Sequence, residues 1–66
     1  MSSLVTTIKV QRAKRNLTQA QLATMADVTR KSINAIEMGR MVPSVVLALR
    51  LARALQVPVE ELFALS

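Results

Sequence analysis

Residues 18–39, TQAQLATMADVTRKSINAIEMG, decide how this chain is read. Leu17 precedes Thr18, and Gln21 follows three residues later. A Thr and a Gln at that spacing can exchange bonds with each other's backbone N–H as a capping box, and Leu17 is placed to staple it. A helix therefore opens at Thr18, with Leu22, Ala23 and Ala26 as its inward stripe; Ala23 is small, as a position must be where two helices cross closely. Asp27 is the expected left-handed residue of a turn, Val28 plugs the corner, and Thr29 caps a second helix. At about 100° per residue, Ser32, Ile33 and Ile36 of that helix face inward while Arg30, Lys31, Asn34 and Met38 cluster outward. Gly39 closes it in the usual manner of a C-terminal glycine.

Two capped helices joined by a tight turn, the second with a polar outer face, have the layout of a helix-turn-helix that pushes one helix into a DNA groove. The charge distribution agrees with it. The net charge is +5, and all nine basic residues lie between Lys9 and Arg53, where the only acids are Asp27 and Glu37. A basic body favours a polyanion such as DNA, RNA or an anionic membrane, although scattered solvated lysines and arginines give the same total. With no Trp or Tyr, a base-stacking platform for single strands is disfavoured.

Sixty-six residues leave room for one domain, 1–66, with one small core. A chain of this length buries only about 60% of its unfolded surface, so a monomer is marginal. Cysteine and histidine are both absent, which removes disulfides and zinc as staples and leaves helix packing, dimerisation or both. Apolar residues reach 52% with aromatics at 2%, rich in Ala and Leu with one Gly, the proportions of a compact all-α protein. No signal peptide is evident, and the most apolar run, Val45–Leu49, is far short of the ~20 residues of a membrane span, so a cytoplasmic location is expected. Catalysis is not expected: Ser and Thr lack a neighbouring base, the carboxylates are scattered, and no glycine-rich phosphate loop exists. No cofactor, metal or small-molecule ligand is implied. Helix one also lacks the wide apolar face and interfacial aromatics of a membrane-surface helix.

Working outward, five helices are expected and no strand-like alternation is found. The first runs roughly from Ser3 to Arg15, capped by Ser2 or Ser3, with Lys14 and Arg15 near its negative end and Asn16 left-handed after it. Val5, Ile8 and Ala13 fit an inward stripe there; Val10 does not. Helix four follows the MVP linker and the Ser44 cap, running from Val45 to about Leu55. Pro58 sets up a last short helix with Glu60 and Glu61 in its first turn and Leu62, Phe63 and Leu65 on its apolar face.

The string LTQAQLA…ADVTRKSINAIEMGRMVPS…LALRLARALQVPVEEL resembles the Cro/phage-repressor type of helix-turn-helix family, also called the XRE family, over residues 8–63. The resemblance implies a five-helix, lambda-repressor-like fold whose third helix lies in the major groove of double-stranded DNA. It also implies a regulator that binds palindromic operators as a two-fold dimer; members are repressors, controller proteins of restriction systems or DNA-binding antitoxins. On the matching positions it makes Arg30, Lys31 and Asn34 base-contacting. Arg and Lys can donate to guanine O6 and N7, and Asn can pair with adenine N6 and N7. It makes Gln19 a phosphate contact that can also buttress recognition side chains, gives Thr29 and Ser32 both cap and phosphate roles, and makes Arg40 a basic phosphate contact. Lys14 and Arg15 are flanking charges that either approach the DNA backbone or stay solvated. Arg12 and Glu37 match a structural ion pair that fixes the reading helix against the body.

Several positions depart from the family. Asp27 and Gln56 stand where glycine is common, which leaves room for helix four to close differently at Gln56. Pro58 replaces the usual hydroxyl cap of helix five, Gln11 stands where an apolar residue is frequent, and Val10 where a polar one is. Val46 stands where the family often has Glu, and with Val42, Val45 and Leu49 it exceeds what one core stripe requires. Excess apolar surface on a small domain marks a partner interface. A homodimer is therefore expected, built from helix five with the end of helix four or the linker before it, through Val42, Val46, Leu49, Phe63 and Leu65; the alternative is that these valines fill the domain's own core. Two functions follow. The first is a sequence-specific duplex-DNA-binding transcriptional regulator, a repressor or controller protein. The second is an antitoxin or adaptor acting mainly through protein contacts of helices four and five.

Overall fold

The computed structural model describes residues 3–66; the expected cap at Ser2 lies outside them. The chain runs β1 (Leu4–Thr6), α1 (Ile8–Lys14), α2 (Gln19–Ala26), α3 (Arg30–Glu37), α4 (Val45–Leu55), α5 (Val59–Leu62) and β2 (Phe63–Leu65). Among the described residues five helices surround one core of Ile8, Leu22, Ala23, Ala26, Ile33, Ile36, Leu47, Leu51, Ala52, Leu55 and Leu62, and every buried residue is apolar.

Hydroxyl caps set the starts of the three central helices. Thr18 accepts from the Gln21 N–H at 3.0 Å while the Gln21 side chain accepts from the Thr18 N–H at 2.8 Å, which completes the capping box. Thr29 accepts from the Ser32 N–H and Ser44 from the Leu47 N–H in the same way.

One device closes four helices. Asn16, Asp27, Gly39 and Gln56 all have positive φ, between 55° and 75°. In each case the next residue donates back five residues, Leu17 to Arg12, Val28 to Ala23, Arg40 to Ala35 and Val57 to Ala52, the long bond of a Schellman motif. Leu17, Val28 and Val57 then pack partly buried on the core. Gln56 therefore adopts the left-handed backbone in place of glycine, and the different closure does not arise. The docked Val57 and the two returned backbone bonds outweigh the cost of a left-handed Gln, about 1 kcal/mol.

Two expectations at the chain ends are corrected. Residues 4–6 are a strand, so the first helix starts at Ile8, and the final helix stops at Leu62, where Phe63–Leu65 turn into a second strand. The two pair antiparallel, Leu4 opposite Leu65, Val5 opposite Ala64 and Thr6 opposite Phe63. Bonds from Thr7 N–H to Leu62 O and from Ser66 N–H to Ser3 O, each 2.9 Å, frame the ladder. Val5, Thr6 and Thr7 are β-branched, and both threonine hydroxyls are engaged: Thr6 Oγ1 accepts locally from the Ile8 N–H, and Thr7 Oγ1 donates across to Glu61 O at the other end of the chain. Ser3 is thus a strand-flanking residue and no cap. Of the expected stripe on the first helix only Ile8 is buried; Val5 lies on the strand and Ala13 is exposed.

Candidate nucleic-acid interface

The α3 sequence separates cleanly into two sides. Ile33 and Ile36 are buried, Ser32 and Ala35 half-buried, and Arg30, Lys31, Asn34 and Met38 exposed on the opposite side. Helices α2 and α3 pack through the apolar stripe, leaving the α2 start beside the α3 outer face.

A polar network links the body to that face. Arg12 on α1 donates from Nε to Glu37 Oε2 at 2.9 Å and from Nη2 to Glu37 Oε1 at 3.3 Å, a two-point pair. The same guanidinium donates from Nη1 to Leu17 O at 2.9 Å, fixing the loop before α2. The side chains are 17% and 5% exposed, so the pair is largely withdrawn from water. Burial pushes the Glu37 carboxyl pKa up. Hydrogen bonds from Arg12 and Gln19, with the charges of Arg12 and Lys9, outweigh burial and hold it below the ordinary carboxylate value.

Gln19, the first residue of α2, is the branch point. Its Nε2 donates to Glu37 Oε1 at 3.0 Å and to Asn34 Oδ1 at 3.2 Å, and its Oε1 accepts from Arg30 Nη1 at 3.5 Å. The structure thus brings Arg12, Gln19, Arg30, Asn34 and Glu37 into one connected set, while Lys31 projects from the same face and Arg40 follows the closing Gly39. Thr29 is engaged as a cap: its hydroxyl accepts from the Ser32 N–H and donates to Ser32 Oγ at 3.1 Å. Of those two hydroxyl groups, Ser32 keeps the hydrogen that an external acceptor can use. Among the residues expected at the self-association surface, Val42 (74%), Val46 (58%), Leu49 (54%) and Leu65 (73%) are exposed, and Phe63 is half-buried. Val45 is equally bare at 75%, so these valines are not the domain's own core.

Sequence reasoning had Gln19 able to buttress recognition side chains, as it does Asn34 and Arg30, and missed its bond to Glu37. No spacing rule joins positions 18 residues apart; only the α2–α3 crossing does. It also missed the groove between β1 and the end of α3, lined by Leu4, Ile36, Met38, Met41, Val42 and Phe63, because that groove needs the unforeseen strand.

The family model described as Helix-turn-helix matches residues 8–62. An uncharacterized HTH-type transcriptional regulator from Methanothermobacter thermautotrophicus is 46% identical over 62 residues, covering 92% of this chain and 90% of the relative. The HTH-type regulator YgzD of Bacillus subtilis is 38% identical, with 85% of each chain covered. Among solved structures, the restriction-modification controller protein C.AhdI from Aeromonas hydrophila superposes with a TM-score of 0.79 at 30% identity over 82% of each chain. The clp gene regulator ClgR from C. glutamicum superposes with a TM-score of 0.75 at 26% identity, over 82% of this chain and 70% of that one.

Proposed function

The chain belongs to the Cro/phage-repressor (XRE) type of helix-turn-helix family, DNA-binding transcriptional regulators, and from that premise we propose that it binds an inverted-repeat operator as a homodimer and represses or controls transcription there. The observation that carries this reading is the uncovered outer face of α3, with Arg30, Lys31 and Asn34 exposed together and two of them tied to the Gln19 network. A helix presenting such a face fits the major groove, where base edges offer hydrogen-bond partners. Ser32 and Arg40 flank it and contact phosphates with their side chains, and Gln19 does so through its backbone N–H at the start of α2, because both hydrogens of its amide are given to Glu37 and Asn34; such contacts position the domain without reading sequence. Thr29 contributes mainly as the cap of α3.

The dimer rests on the apolar surface running from the linker onto α4, Val42, Val45, Val46 and Leu49, with Phe63 and Leu65 from β2. Two copies related by a two-fold axis set their α3 helices one DNA turn apart, about 34 Å. An adaptor or antitoxin role would use the same apolar surface on an unrelated protein; the exposed α3 face argues against an adaptor, which has no use for it, whereas a DNA-binding antitoxin would use both surfaces.

Selection of bound duplexes from a random pool tests the proposal. The expected product is a short two-fold motif, and Arg30→Ala relaxes one defined position in each half. Recovery of no enriched duplex, with stoichiometric capture of a partner protein instead, would overturn it.

A further inference from the structure

We propose that Gln19 sets base preference: it holds Asn34 with its amino group toward the DNA, so the reading face presents donors only and Asn34 selects guanine over adenine. This rests on the DNA-binding reading above and specifies what that face recognises. The sequence alone leaves Asn34 free to turn either amide atom outward, including the pairing with adenine.

The polarity originates at the ion pair. Glu37, bound twice by Arg12, is an acceptor only, so the Gln19 atom 3.0 Å from its Oε1 is the amide nitrogen. Turning Gln19 over would set its carbonyl oxygen against a carboxylate. That nitrogen carries two hydrogens; one goes to Glu37, and the other points to Asn34, 3.2 Å away. The Asn34 atom there must accept, so it is Oδ1. Turning Asn34 over would bring two NH2 groups together, with no acceptor between them. Arg30 donating to Gln19 Oε1 at 3.5 Å is consistent with the same orientation.

Each amide in this chain is therefore oriented by the one before it, and the group left over at Asn34 is Nδ2, a donor. Arg30 and Lys31 beside it donate as well. Guanine presents two adjacent acceptors in the major groove, O6 and N7. Adenine sets an amino donor beside N7, and cytosine shows an amino donor. Meeting adenine with both amide atoms would require Oδ1 to turn outward, breaking its bond to Gln19 and stranding an N–H on a half-buried side chain.

Pool selection with the wild type, Asn34→Ala and Gln19→Met tests this, each variant checked for folding by circular dichroism. The position that relaxes in Asn34→Ala is expected to be guanine in the wild-type motif, favoured over adenine by on the order of tenfold. In Gln19→Met the guanine-to-adenine ratio at that position moves toward one, while positions read by Lys31, which makes no bond to Gln19, keep their preference. A purely structural role for Gln19 would weaken binding to all duplexes alike and leave the ratio untouched. Adenine at the wild-type position, no position relaxed in Asn34→Ala, or an unchanged ratio in Gln19→Met would each overturn the inference while leaving DNA binding standing. Absence of any enriched duplex with the wild type would sink both readings. Should Gln19→Met fail to fold, the wild type and Asn34→Ala decide alone.

Discussion

Glu37 joins three helices. It holds α1 against the end of α3 through Arg12, and it orients Gln19 at the head of α2. Glu37→Gln keeps the shape but leaves the Arg12 guanidinium uncompensated. Full burial of a broken pair costs ~3–5 kcal/mol, and because Arg12 retains 17% exposure the expected loss is at the lower end, about 3 kcal/mol, read as a lower urea midpoint with an unchanged slope. The folded-state carboxyl is more acidic than its ordinary value of 4.5, so ionised Glu37 stabilises the native state fully above that value. This contribution declines as pH falls from 4.5 toward the lower folded value. Denaturation midpoints measured through that window should drop for the wild type and drop less steeply for Glu37→Gln. Equal slopes would remove Glu37 from the account of acid stability.

The elements owe their boundaries to a repeated closing motif and a recurring hydroxyl cap. Four left-handed residues end four helices, and only one of them is glycine. Asn16 and Asp27 tolerate that backbone comparatively well, whereas Gln56 does so at greater cost. Gln56→Gly should therefore stabilise the fold by about 0.5–1 kcal/mol, the relieved strain being partly offset by the greater freedom of glycine in the unfolded chain. A higher thermal midpoint checks it; a lower one would mean that the Gln56 side chain contributes more than its backbone costs. Removing the hydroxyl in Thr18→Ala should lower stability by about 1 kcal/mol. Because the same change frees the start of α2, where Gln19 sits, it should also loosen Asn34, visible as faster exchange of the Gln19 side-chain amide protons.

At the scale of the whole molecule, the acidic pair Glu60 and Glu61 lies apart from the basic body along the chain, and an apolar surface of Val42, Val45, Val46, Leu49 and Leu65 is left exposed. Val46→Asp places a charge on that surface at a residue already exposed, so the monomer should fold with an unchanged circular dichroism spectrum. The wild type should sediment as a dimer at micromolar concentration and the variant as a monomer. Losing the second reading head should weaken binding to the two-fold operator by about 100-fold. A strictly monomeric wild type would refute the dimer. Operator affinity should also fall steeply with salt, through release of counterions from the phosphates, and Arg40→Ala should reduce the slope of log K against log salt by about one while weakening all sequences alike.

Local chemistry was enough to establish the central part of this protein. The Thr18, Thr29 and Ser44 caps, the left-handed Asn16 and Asp27, the closing Gly39 and the two-sided α3 each depend on residues within one or two turns of one another, and those interactions are written into neighbouring positions. The chain ends were decided by tertiary structure. Leu4–Thr6 becomes a strand because Phe63–Leu65, about sixty residues away, supplies the ladder, and no short-range pattern encodes a partner so distant. Gln56 is an intermediate case: local propensity argues against its backbone, and the docking of Val57 on the core overrides it. The orientation of Asn34 belongs to the fold as well, since its amide is turned through Gln19 by a carboxylate that itself answers to α1, and only the packing of three helices brings those four side chains together.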